Sequence, residues 1–168
     1  MSIHLRHFKE EEKEHLKNAK TFKDLADLAL QIINRIPEGV SAISGPISTG
    51  GVGNTAENLT VFSNVTEILI EENEINVLSW IPFETKMHEF YLEWKKTSKD
   101  GEYCMPILED FYQPIFSSGK VNDVHFIHGW ESSFGSRWEH NLCEKLGIKK
   151  IYLSPKLSQK ALKRGGKK

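Results

Sequence analysis

A carboxylate and a cluster of small residues share one short stretch, Gly129-Trp130-Glu131-Ser132-Ser133-Phe134-Gly135-Ser136-Arg137-Trp138-Glu139-His140. Before it lies an apolar run, 124–127, whose one polar member is His125; after it, apolar residues recur at helical spacing over 137–146, up to Gly147. A strand therefore feeds a loop that opens a helix. Ser132, Ser133, Gly135 and Ser136 leave backbone N–H groups uncovered at that helix start, where the macrodipole favours an anion such as a phosphate. Glu139 is expected near the first turn, facing the same mouth. A carboxylate there can attack an electrophilic carbon; taken alone, it can also simply complement the dipole.

A second loop, Gly45-Pro46-Ile47-Ser48-Thr49-Gly50-Gly51-Val52-Gly53-Asn54, follows another short apolar run at 40–44. It contains neither the GxxxxGK[ST] of a P-loop nor the ordered GxGxxG of a dinucleotide site. His125, His128 and His140 invite a metal reading, yet side chains alternate along a strand, so His125 and His128 fall on opposite faces. No metal is expected. Ser133 lacks the glycine-flanked elbow of a nucleophilic serine and reads as a binder. Trp130 and Trp138 read as packing residues before they read as platforms for a base.

These loops need elements to hold them. Apolar residues recur at three and four over 10–36 until Pro37 and Gly39, which makes one long amphipathic helix or two. Strands are expected at 40–44, 75–80, 121–128 and 149–153, with helices at 55–72, 84–96, 107–116 (disturbed at Pro114) and 137–146. A last turn of helix is expected at 158–163. Strands alternating with helices imply an α/β protein with a parallel sheet and helices on both faces. In such sheets ligands gather beyond the carboxyl ends of the strands, where strand order reverses, which would bring the 45–54 and 129–139 loops to one crevice. The expected division is a helical N-terminal extension (1–39), an α/β domain (40–155) and a basic C-terminal tail (156–168).

With 168 residues and 39% apolar content, the chain can bury an ordinary core, and a formal charge of -1 gives no overall pull toward nucleic acid. Lys156–Lys168 carry a local excess of Lys and Arg, expected to be solvated. Cys104 and Cys143 show no ligand spacing and no disulfide framework. The first twenty residues are charged throughout without an apolar signal-peptide core, and no stretch suffices to span a bilayer, so the expectation is a cytoplasmic protein away from membranes.

Ile43-Ser44-Gly45-Pro46-Ile47, together with Gly129-Trp130-Glu131-x-Ser133-x-Gly135-x-x-x-Glu139-His140, resembles the nucleoside 2-deoxyribosyltransferase-like superfamily over roughly 42–153. The Ser-x-Gly-x-x-x-Glu order is similar to the branch that hydrolyses nucleoside 5′-monophosphates, and the Gly-Trp-Glu opening to small phage and bacterial members. The resemblance implies a flavodoxin-like or Rossmann-like domain that cleaves an N-glycosidic bond without a cofactor. It implies Glu139 as nucleophile, with Ser133, Gly135 and the Gly45, Pro46, Ile47, Ser48 loop as the cradle for a phosphate or 5′-oxygen. Asp110, with Glu109 as competitor, matches the acidic residue that assists the sugar or the leaving base. Trp80, Pro82 and Phe83 match the region enclosing the base. A homodimer or higher oligomer is implied, because neighbouring subunits complete such sites. The rival expectation is a non-catalytic nucleotide-binding module using the same crevice.

Overall fold

The computed structural model describes residues 2–47 and 55–165. In chain order these contain α1 (Glu10–Asn18), α2 (Phe22–Asn34), β1 (Val40–Ser44), α3 (Thr55–Glu71), α4 (Glu84–Lys95), a π-helical turn (Ile107–Tyr112) running into α5 (Gln113–Phe116), β2 (Val121–Phe126), α6 (Phe134–Leu146), β3 (Lys149–Tyr152) and α7 (Pro155–Gly165). Packing groups them into two compact units, each built from two stretches of chain: residues 1–39 with 80–120, and 40–79 with 121–168. This grouping cuts across the linear division read from sequence, because 80–120 packs with the N-terminal helices and not with the strands.

The first unit is helical. The pattern over 10–36 resolves into two helices, and the reason is local: Thr21 Oγ1 accepts the Asp24 N–H at 3.0 Å while Asp24 Oδ2 accepts the Thr21 N–H at 3.2 Å. This reciprocal capping box starts a fresh helix three residues after α1 ends. Phe22, Leu25, Ala26, Leu28, Ala29, Ile32 and Ile33 form one buried stripe along α2. Near Pro114 the chain widens into the π turn, with the Gln113 N–H reaching back to the Leu108 carbonyl. Proline has no N–H to continue the tighter ladder, and the wider turn accommodates that loss.

The second unit is α/β, with a three-stranded parallel sheet in the order β1-β2-β3. The expected strand at 75–80 is reduced to a single bridge: Ser41 donates to the Asn76 carbonyl at 2.9 Å and receives the Leu78 N–H at 3.1 Å. Ile81–Phe83 form a 3-10 turn directly after it, and Pro82 there cannot join a ladder. Since β2 occupies one edge of β1, the bridge takes the other. The chain thus steps to one side of β1 after α3 and later returns on the opposite side as β2, so strand order reverses at the β1/β2 pair.

The basic C-terminal residues are not a solvated tail. Over 155–165 they form α7, which docks on α3: Ala161 is buried, its carbonyl accepts Asn64 Nδ2 at 3.0 Å, Arg164 pairs with Glu71 at 2.9 Å, and Lys160 pairs with Glu72. No helix among the described residues is long and apolar enough to cross a membrane.

Candidate functional site

Parallel register puts Ser44, Phe126 and Tyr152 in one row across β1, β2 and β3, at or next to their carboxyl ends. Paired residues in a parallel ladder project to the same face. α6 lies along that row, setting Glu139 against Ser44 and His140 against Phe126 and Tyr152. Ser44 Oγ donates to Glu139 Oε2 at 2.9 Å, between side chains 1% and 6% exposed. Among the described residues Glu139 has no other hydrogen-bond partner. Burial pushes its carboxyl up to about 8, only partly offset by the Ser44 hydroxyl, so Glu139 is largely protonated at neutral pH.

α6 begins at Phe134, earlier than the helical pattern suggested, because Ser133 caps it: Ser133 Oγ accepts the Ser136 N–H at 3.3 Å. Glu139 therefore sits in the second turn, beyond the uncovered N–H groups, and complementing the dipole does not account for it. The residues buried along the inner face of α6 are Gly135, Ser136, Glu139 and Cys143. Ser136 Oγ is buried without a hydrogen-bond partner, one turn before Glu139. Burial raises the Cys143 thiol to about 12, with the Glu139 charge adding to the effect, so it is no nucleophile at neutral pH.

Beside the Glu139 contact stands an aromatic stack. Trp130 and His140 lie face to face, with centroids 4.3 Å apart and planes 11° from parallel, and His140 Nε2 meets the Tyr152 hydroxyl at 2.7 Å. Trp130 thus packs within its own unit, as its sequence reading held. His140 lies below its ordinary value, through desolvation and the nearby Lys150 charge. His125 hydrogen-bonds Asp123 at 3.0 Å, its Nδ1 is buried without a partner, and desolvation lowers it in turn. No three His, Cys, Asp or Glu among the described residues gather as a metal would require.

The loops after β1 and β2 meet closely. An added Cβ at Gly45 would lie 2.7 Å from Ile127 Cδ1, a distance that excludes any side chain. Gly129 then turns the chain in the left-handed region at φ 88°, and the 3-10 turn Trp130–Ser132 carries it to α6. These loops border a cleft of about 590 Å³, with Pro46, Ile127, His128 and Glu131 on one side and Ser158 and Leu162 of α7 on the other. Asn58 of α3 also lines it, with its Nδ2 tied to the Ile47 carbonyl at 3.1 Å. Glu139 is not among the lining residues.

The sequence-read site residues therefore fall in several places. Gly45, Pro46, Ile47, Ser133, Gly135 and Glu139 all belong to the second unit, whereas Ser48 lies outside the described residues. Ser133 spends its side chain as a helix cap. Trp80 and Phe83 belong to the first unit and are 1% and 0% exposed, packed edge-on or tilted against Phe111, with Tyr112 also on Trp80 and Phe8 on Phe83. Core rings held this way offer no free face for a base. Asp110 and Glu109 also belong to the first unit, both exposed on the π turn.

Two residues of interest carried no expectation. Ser44 could have been found from its place between an apolar run and a glycine loop. Glu84, which opens α4 in the first unit, is raised to about 7 by burial, suited to proton transfer near neutral pH, and nothing in its sequence context marked it. No protein-family model matches this chain, and no curated protein or solved structure does. What the chain does must be read from the chemistry its residues can perform.

Proposed function

We propose that the chain cleaves the N-glycosidic bond of a nucleoside or nucleoside 5′-monophosphate, with Glu139 as the nucleophile of a flavodoxin-like or Rossmann-like domain. The observation that supports this reading is a buried carboxyl group with no cation beside it, held by one hydroxyl at the point where strand order reverses. One carboxylate oxygen attacks C1′ as the C1′–N bond breaks, and the bonding pair leaves with the base, which takes up a proton. Water or a second base then attacks C1′ of the glycosyl ester and frees Glu139. Ser44 fixes one carboxyl oxygen and leaves the other for attack. Asp110 is assigned to the leaving base by the resemblance alone. A second copy completing the site, and a cytoplasmic setting, belong to the same reading.

The experiment is base release from nucleosides and 5′-monophosphates, followed by chromatography, with Glu139→Gln as control. The expected result is release that falls on the order of 10³-fold or more in the variant. Because only the ionised carboxylate attacks, kcat/KM should rise with pH through about 8.

A second reading has its own support: Glu139 is protonated below about 8 and does not line the cleft. In that reading the crevice binds a nucleotide without cleaving it, and Glu139 donates a hydrogen bond. No base release, with a ligand still bound more tightly below pH 8 than above it, would establish this alternative.

A further inference from the structure

A phosphate dianion needs positive charge or several free N–H groups, and the cleft beside Glu131 supplies no cation among its described lining residues. Its charged or chargeable lining groups are Glu131 and His128, both exposed. The adjoining 48–54 stretch reads Ser-Thr-Gly-Gly-Val-Gly-Asn, without Lys or Arg.

Nearby cations are committed elsewhere. Arg137, the only Lys or Arg between Gly129 and His140, donates to the Glu131 carbonyl at 2.7 Å and lies over the Phe134 ring. On α7, Ser158 and Leu162 face the cleft, while Lys156, Lys160, Lys163 and Arg164 sit roughly 120° or more around the helix from that line. Lys160 and Arg164 are also held by Glu72 and Glu71. At the start of α6, the Ser136 N–H that an anion would use is taken by Ser133 Oγ.

We infer that the cleft selects an uncharged ligand, so that within the proposed glycosidase reading, on which this rests, the substrate is a nucleoside and not its 5′-monophosphate. The Glu131 carboxylate repels a phosphate placed beside it, while Pro46, Val61, Ile127 and Leu162 give the cleft apolar walls for a base or a sugar face. This departs from the monophosphate branch that the Ser133-x-Gly135-x-x-x-Glu139 order resembles.

The test is calorimetric binding of a panel of ribo- and 2′-deoxynucleosides and their 5′-monophosphates to the full chain and to Glu131→Lys, with inorganic phosphate as a further probe. The expected result is a nucleoside bound at least about tenfold more tightly than its monophosphate, with that gap narrowing or reversing in the variant. Inorganic phosphate should not compete. A monophosphate bound as tightly as its nucleoside, competition by phosphate, or no binding of either class would overturn the inference. Base release separates the two claims: a monophosphate cleaved in preference sinks the selectivity and spares the glycosidase, whereas a nucleoside bound but not cleaved does the reverse.

Discussion

Each unit buries a glutamate on a helix, and the two are handled in opposite ways. Glu12 of α1 is 0% exposed, yet its oxygens accept the Lys9 N–H at 2.9 Å, Gln31 Nε2 at 3.1 Å and Arg35 Nη1 at 2.6 Å, with Arg35 Nη2 adding a further bond. Burial alone would raise it, but these donors and the Arg35 charge hold it below its ordinary value of 4.5. Glu139 has one neutral donor and rises to about 8. The Glu12 site spends its carboxylate on joining α1 to α2, because Gln31 and Arg35 both lie on or beside α2. The Glu139 site leaves carboxyl capacity unspent, at a stability cost that packing alone gives no reason to keep.

The sharpest test of this contrast is to remove each carboxylate. Glu12→Ala should lower unfolding free energy by about 3 kcal/mol in urea titrations, since Arg35, Gln31 and the Lys9 N–H lose a common acceptor. Glu139→Gln should match or exceed the parent at pH 8, because it removes a buried acid without opening a cavity. Equal losses at both sites would break the comparison.

Stability against pH should separate the sites next, with opposite signs. Glu12 is depressed, so its contribution is present above the unfolded value near 4.5 and is lost as pH falls through its lower folded value. Glu139 is raised, so the stability of its neutral form is full below about 4.5 and fades as pH climbs through about 8. Glu139→Gln should flatten the alkaline slope alone, and Glu12→Gln the acid slope alone. If either variant flattened both, the sites would not be independent.

The smallest effect concerns Ser44. Ser44→Ala deletes the donor that partly offsets burial, so the apparent pKa in kcat/KM should move up by about one unit and activity at neutral pH should fall about tenfold. An unchanged pH profile would make Ser44 a packing residue.

Local chemistry was legible in the sequence wherever it was self-contained. The α2 stripe, the β1, β2 and β3 strands and the helix ending at Leu146 follow from apolar spacing. The Thr21-x-x-Asp24 box that divides α1 from α2 was also present, as a capping motif inside an otherwise continuous pattern. Long-range features were not readable. Nothing about Trp80 or Phe83 as residue types distinguishes a base platform from a core ring; only their burial against Phe111 does. The same holds for Ser44, whose partner stands 95 residues away. The docking of α7 was hidden because its cations read as solvated until Glu71 and Glu72 were placed opposite them.

The interleaving of the two units also orders the birth of the molecule. The ribosome delivers α1, α2 and β1 early, yet the aromatic partners of the first unit come from 80–120 and the ladder partner of β1 begins only at Val121. Neither unit can finish while the chain is half made, and each must hold unpaired apolar surface through much of synthesis. A break placed after Gly39, where the sequence divides most naturally, would strand α1 and α2 without their core and free no intact half.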